Sequence, residues 1–351
     1  MTQLKNRPAQ RVLALHRNFE KDAKGDPIFV IAEDGTEVKH LSGVKIAKFI
    51  NGLNETVTLR ITSQAYFVPI LQQMQERGVH LQYCHWHKAG LAKGLSAEDI
   101  AAGYLALDAS LFLPIKVNPK ICDLRDFIAA RSSLVDLRRS AQLKLHALAR
   151  SRGFAKADAD DTPDWLQAAF AEVVAEGNAK EHPLERRISN LAKTIPECIL
   201  LNQVLGISDN NWITSATVIA YLGDLSRFTQ VQSLRHYCGY HVAEGKAPKR
   251  EKGKNITWNP KVRTALWSWS DSMIKHAGGI SEKTGKAKAF SIWRPLYDEY
   301  LAVEKAQHLQ VCPNCKTPDG HSGARARRKV VQQVLKKFFL AANGLEDDQA
   351  A

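Results

Sequence analysis

The chain has 351 residues, with 49 Lys and Arg against 36 Asp and Glu and a formal net charge of +13; its pI is near 9.4. That length holds two domains or more. The opening MTQLKNRPAQRVLALHR lacks an apolar core of signal length and no apolar run reaches transmembrane length, while six scattered cysteines do not make a disulfide framework. On these grounds the expectation is a cytoplasmic protein with no membrane partner.

The N-terminal third alternates strands and helices. RVLALHR (11–17), DPIFVIA (26–32) and TEVKHL (36–41), with a turn at Asp34-Gly35, predict three antiparallel strands. A helix over about 44–53, the strand TVTLRIT (56–62), the helix AYFVPILQQMQERG (65–78), the strand VHLQYCHW (79–86) and a helix over 97–107 follow. Ser96-Ala97-Glu98-Asp99 reads as a capping box, with Ser96 as N-cap, Asp99 at the third helical position, and Glu98 suiting the helix dipole.

A long helix is predicted over 124–152, ending at Gly153, with Leu134, Leu137, Ala141, Leu145 and Leu148 at helical spacing. Arg131, Arg138, Arg139, Lys144, Arg150 and Arg152 oppose the single acid Asp136. Thr162-Pro163-Asp164 reads as N-cap, first-position proline and first-turn acid of the helix WLQAAFAEVVAEG (165–177). On that reading the cluster Asp158, Asp160, Asp161 and Asp164 marks a helix start and not a metal site.

Further helices end at Leu205-Gly206, run over about 214–222 to Gly223-Asp224, and run over about 230–237 to Gly239. Helix, Gly-containing turn and helix is a common way to present backbone N–H groups to phosphate. The loop that follows carries Lys246, Lys249, Arg250, Lys252 and Lys254 against Glu251 alone, which suits a polyanion. Trp267, Trp269, Trp293 and Tyr297 read as core. Cys312 and Cys315, with His308 upstream and His321 downstream, offer two thiolates and two imidazoles to a structural zinc. SGARARRKVVQQVLKKFFLAAN (322–343) holds Arg325, Arg327, Arg328 and Lys329 in a stretch with no acid as far as Lys337. Clustered positive charge interleaved with apolar residues is the footprint of nucleic-acid binding.

Gly206-Ile207, Gly223-Asp224 to Phe228, Tyr237-Cys238-Gly239, the basic loop and Ile256-Thr257 together resemble the C-terminal half of the DEDD-type insertion-sequence transposases. These are bridge-RNA-guided recombinases related to the Piv DNA invertases. The resemblance covers about residues 11–340. It implies a fold of α/β plus α: a ribonuclease H-like, RuvC-like domain over 1–123, a helical arm over 124–192 that dimerises and touches guide RNA, and a mainly helical transposase-like domain over 193–351. The order of three strands, helix, strand, helix, strand and helix agrees with the first of these.

In that family an acid stands on the first strand, another at the end of the fourth, and a D-x-x-D pair opens the last helix, to hold divalent metal. A serine in the basic loop joins strands. Aligned by the resemblance, those places fall here on His16, Ile61, Glu98 and Ala101, and on Lys246 or Ala247, and no serine lies between Ser233 and Ser268. The resemblance thus implies a catalytically inactive protein that needs no magnesium and is associated with the bacterial nucleoid when bound to DNA. Its partners would be a structured noncoding guide RNA, double-stranded DNA and further copies of itself, as dimer or tetramer. Two alternatives stand beside this: an active recombinase using Asp22 or Asp26, Glu98, Asp99, and Ser268 or Ser270, or a structural subunit of a mixed transposase oligomer.

Overall fold

A computed structural model describes residues 11–21, 27–33, 38–42, 44–53, 57–62, 68–84, 89–92, 94–115, 117–207, 211–242, 247–249, 256–276, 278, 290–307 and 321–346. Two compact units emerge, Met1–Cys122 with Gly223–Arg227, and Asp123–Leu222 with Phe228–Ala351.

In the first unit, strands β1 (Arg11–Lys21), β2 (Pro27–Glu33), β3 (Val38–Leu41), β4 (Val57–Ile61), β5 (His80–Tyr83) and β6 (Leu113–Pro114) form one sheet in the order β3-β2-β1-β4-β5-β6. β1 runs antiparallel to β2 and parallel to β4, β5 runs parallel to β4, and β6 closes the edge antiparallel to β5. Helices α1 (Val44–Asn51), α2 (Val68–Glu76) and α3 (Ala97–Ala106) complete it.

Strand side chains alternate between faces with a period of two, and here the two faces meet different helices. Leu13, Leu15, Leu59 and Ile61 pack with Ile46 and Ile50 of α1 and Leu71 and Met74 of α2. Ala14, Val30 and Ala32 on the other face pack with Ile100, Ala101 and Tyr104 of α3. Both faces of the central strands are therefore buried, which explains why VTLRI is shielded along its whole length.

The second unit is helical. α4 (Pro119–Ser151) and α5 (Asp164–Ala192) form an antiparallel hairpin, followed by α6 (Pro196–Leu205), α7 (Ile213–Leu222), α8 (Val231–Tyr237), α9 (Pro260–Lys275), α10 (Arg294–Gln307) and α11 (Ser322–Asn343). α7 is apolar nearly all round and buries Ala216, Val218, Ile219, Ala220 and Leu222, which makes it the central helix. Against it lie α5, α6 and α9, while α11 packs on α6, α8 and α10. Trp293 donates from Nε1 to the Val204 carbonyl at 2.7 Å, which caps an orphan acceptor in the last turn of α6. The thiols of Cys84, Cys122, Cys198 and Cys238 are all buried and unbridged.

Three expectations change. α5 does not stop near Gly177 but continues through it and through Pro183 to Ala192. A proline inside a helix costs about 3 kcal/mol, and here Glu181 and Glu185 on either side of Pro183 anchor the second half of α5 to Arg138 and Arg131 of α4. Thr162 does not cap α5; its hydroxyl donates to the Lys156 carbonyl at 2.6 Å, and Pro163 holds the cap position. Trp267 is 39% exposed, unlike Trp269, Trp293 and Tyr297, which are core as expected.

Candidate functional site

The first candidate is the α3-facing side of the sheet. His16 sits on β1 with 2% of its surface exposed, and its Nδ1 lies 3.0 Å from the Thr62 hydroxyl. Thr62 directly follows β4 and continues the parallel ladder by donating its N–H to the Leu15 carbonyl at 3.1 Å. Burial pushes the His16 imidazole down to about 4, against the pull of the Glu98 carboxylate, so the ring is neutral at pH 7.

Ile61 faces away from this group. It packs among the α1 and α2 side chains, one residue out of phase with His16. The residue after the fourth strand that meets His16 is Thr62, whereas Ile61 pairs across from Leu15. The only sequence signal for this was the strand's alternation itself.

α3 brings Glu98 to the same face. Ser96 caps the helix as expected, its hydroxyl oxygen accepting from the Asp99 N–H at 3.1 Å. Glu98 Oε1 lies 2.9 Å from His40 Nε2, with both side chains partly exposed. A backbone N–H, the Ser96 hydroxyl and the His40 charge hold Glu98 below the usual carboxylate range. Ala101 is wholly buried and contributes only packing.

Beside them lies Arg60, which sequence reasoning did not single out. Its Nη1 donates to the Leu105 and Leu107 carbonyls at 2.6 and 2.7 Å, gathering orphan acceptors at the end of α3, and its guanidinium stacks 4.5 Å over Phe112. A neutral imidazole, a hydroxyl and a guanidinium stand at this face, with the Glu98 carboxylate at its rim and the Asp108 carboxylate acting on Arg60. Among the described residues no group of three His, Cys, Asp or Glu is placed to hold a metal. Asp22 and Asp26 lie outside the described residues.

The second candidate is basic. Arg131 and Arg138 face into the α4–α5 hairpin: Arg131 donates to Glu185 at 2.6 and 2.8 Å, and Arg138 to Glu181 at 2.7 and 3.1 Å. Glu181 is 4% exposed. Gly177 is required opposite, because a Cβ there would collide with Arg138 Cδ. Arg152 stacks over Trp165. Arg139, Lys144 and Arg150 are exposed, with no ion pair among the described residues. On α11, Arg325 and Lys329 both reach Glu304, and Arg327 pairs with Asp271 at 3.0 Å while lying over Trp267. Many of the sequence-predicted cations are thus partly neutralised by acids remote in sequence.

The turn after α8 ties the basic loop to the helical core. Tyr237 donates to the Tyr221 carbonyl at 2.7 Å and accepts from Asn259 Nδ2 at 3.0 Å. Asn259 caps α9 by accepting from the Lys261 and Val262 N–H groups. Gly239 has φ of 75°, and a Cβ there would lie 2.8 Å from Trp258 and 2.9 Å from Arg263, so glycine serves both the backbone and the close approach. Arg263 donates to the Pro248 carbonyl at 2.9 Å and stacks over Trp258. Pro248, Lys249, Ile256, Trp258, Pro260 and Arg263 line a surface cleft of about 490 Å³. Ala247, next to Pro248 in the chain, is half-buried and has no nucleophilic atom. Lys246, Arg250, Lys252 and Lys254 lie outside the described residues, as do His308, Cys312 and Cys315. His321 is exposed at the start of α11 with φ of 71°.

This turn, cap and cleft are features of a segment with a recognised family. Residues 198–285, from α6 to just past α9, match the model of the Transposase IS116/IS110/IS902 family. No curated protein matches the chain. The match supports an insertion-sequence transposase, a DNA-acting protein in the broad sense. Among the described residues no helix is long and apolar enough to cross a membrane.

Proposed function

We propose that this chain is a nucleic-acid-binding relative of the insertion-sequence transposases that works with a structured noncoding guide RNA on double-stranded DNA and no longer cuts or joins strands. The match over 198–285 supports the kinship. The sheet order β3-β2-β1-β4-β5, with β1, β4 and β5 parallel, supports reading the first unit as ribonuclease H-like.

The loss of chemistry rests on one observation, the buried neutral His16 on Thr62. Magnesium takes hard oxygen ligands, mainly carboxylates. An imidazole held neutral by burial, a hydroxyl and the adjacent Arg60 cation do not fit that ion, so no cleavage step is derived through it. What remains is binding, through Arg139, Lys144 and Arg150 on the arm and the basic loop at 246–254.

The test uses purified full chain with the RNA that accompanies it, Mg²⁺ and duplex DNA. RNA is expected to co-purify and no cleaved or recombined product to form. Reversing Arg139, Lys144 and Arg150 to Glu is expected to flatten the salt dependence of log affinity by roughly one unit for each phosphate no longer neutralised. Recombinant product abolished by Glu98→Ala or Asp99→Ala would overturn the inactive reading.

One observation favours a particular form of the active alternative. Ser268 is exposed and lines a cavity of about 360 Å³ together with Ser272 and His276. Ser270 is fully buried and donates to the Trp267 carbonyl. A substitute nucleophile on α9 would therefore be Ser268, and not Ser270.

A further inference from the structure

We propose that the cavity walled by the end of α6, the start of α7 and the outer face of α9 receives one base of DNA turned out of its stack, with the ring of Phe290 against it. This rests on the DNA-acting reading and adds a second kind of contact, uncharged and separate from the basic surfaces.

Three observations carry it. First, the walls are fixed. Trp293 Nε1 donates to the Val204 carbonyl at 2.7 Å, the Ser291 N–H donates to the His276 carbonyl at 2.9 Å, and Arg294 Nη1 donates to the Ile274 carbonyl. The segment 291–294 thereby joins the last turn of α6 to the end of α9. Gly206, where the chain leaves α6, has φ of 65°, and a Cβ there would lie 2.8 Å from Ile292.

Second, the walls are polar but uncharged. Thr214, Ser268 and Ser272 line the space of about 360 Å³, and none of their hydroxyls has a hydrogen bond among the described residues. Hydroxyls within helices commonly turn back onto a carbonyl of the preceding turn. Thr217 of α7 does so to Ile213 and Ser270 of α9 to Trp267, each at 2.7 Å. The three at the cavity keep their donors and acceptors for a guest. Among the described residues no Lys, Arg, Asp or Glu lines the space, so a phosphate finds no cation in it.

Third, apolar surface waits for a flat guest. Leu205, Trp269 and Met273 line the same space and are each less than a tenth exposed. Phe290 also lines it, yet 59% of its surface is exposed. One side of its ring is backed by Gly278, where a Cβ would lie 3.1 Å away. An open aromatic ring beside free hydroxyls suits a nucleobase, which has a π-face to stack and an edge of donors and acceptors. The volume lies in the range of small-ligand sites.

The experiment compares wild type, Phe290→Ala, Phe290→Trp and Ser272→Val as full chains, by anisotropy with fluorescein-labelled DNA duplexes over a salt series. One duplex is fully paired and the other carries a single central T·T mismatch. Turning out a base costs least where its pair is already broken, so wild type is expected to bind the mismatched duplex about tenfold more tightly. Phe290→Ala and Ser272→Val should lose most of that preference while keeping the paired-duplex affinity and the salt slope, because neither removes a charge. Phe290→Trp should keep the preference. Both side chains are exposed, so melting temperatures should stay within a degree or two of wild type. A preference that survives Phe290→Ala and Ser272→Val overturns the site. Equal binding of the two duplexes by wild type overturns the site and leaves the DNA-acting reading standing. Loss of the preference in Phe290→Trp as well, with a lower melting temperature, makes Phe290 a packing residue and overturns its role. A wild-type chain that binds neither duplex removes the DNA-acting reading, and the site with it. A mismatch preference seen only with RNA duplexes run in parallel overturns the assignment to DNA.

Discussion

His16 shows how a single buried side chain couples the stability of the sheet to pH. An imidazole whose folded-state pKa lies near 4, below an ordinary 6.5, binds fewer protons folded than unfolded. The sign follows: it leaves stability untouched above pH 6.5, and stability falls as pH drops from 6.5 toward 4 because the unfolded chain takes up the proton first. At pH 5 the cost is on the order of 2 kcal/mol. Urea denaturation of wild type and His16→Gln at pH 7 and pH 5 checks this. The wild type is expected to lose more stability over that interval than the variant by about that amount, and equal losses would show that His16 is hydrated. At this scale the sequence was legible for Ser96, whose capping role follows from local pattern. It was illegible for Thr62 against Ile61, because a strand alternates every residue and nothing local says which parity meets α3. Arg60 was hidden for a related reason, since its carbonyl partners lie 45 and 47 residues away.

Among the elements, the arm separates two kinds of arginine that composition treats alike. Arg138 meets the buried Glu181 carboxylate with two hydrogen bonds, whereas its neighbour Arg139 is exposed. Removing Arg138 strands a buried charge, a loss of about 3 to 5 kcal/mol. Arg138→Ala is therefore expected to lower the melting temperature sharply, and Arg139→Ala to leave it within a degree or two while weakening nucleic-acid binding. Equal effects on melting would place both on a solvated face. Helical spacing gave the existence of α4, whereas the stretch Ser322–Asn343 of α11 was picked out by resemblance alone. The far half of α5 escaped notice because Gly177 and Pro183 are ordinary stop signals, overridden here by pairing with α4. β6 escaped because two residues carry no period at all.

For the molecule as a whole, the arm leaves apolar surface uncovered. Leu137 is 67% exposed and Leu148 37% exposed on the same side of α4, eleven residues and about three turns apart. A seam of this kind, with the half-buried Ala141 between, suits a second helix at coiled-coil spacing. The proposed homo-oligomer is accordingly expected to assemble through α4. Leu137→Glu with Leu148→Glu should lower the mass found by light scattering to that of one chain, without loss of helical circular dichroism. An unchanged mass would move the interface elsewhere. The two units divide at Cys122–Asp123, just inside the start of α4.

The four buried thiols have a consequence for handling and for kinetics. Cys84 and Cys122 belong to the first unit and Cys198 and Cys238 to the second, each sealed from solvent in the folded chain. A thiolate reacts only once it is exposed, so alkylation at any of the four waits on an opening of its own surroundings. The protein therefore carries an internal clock in each unit, and the rate at which each sulfur is labelled reads out how often that part of the fold breathes.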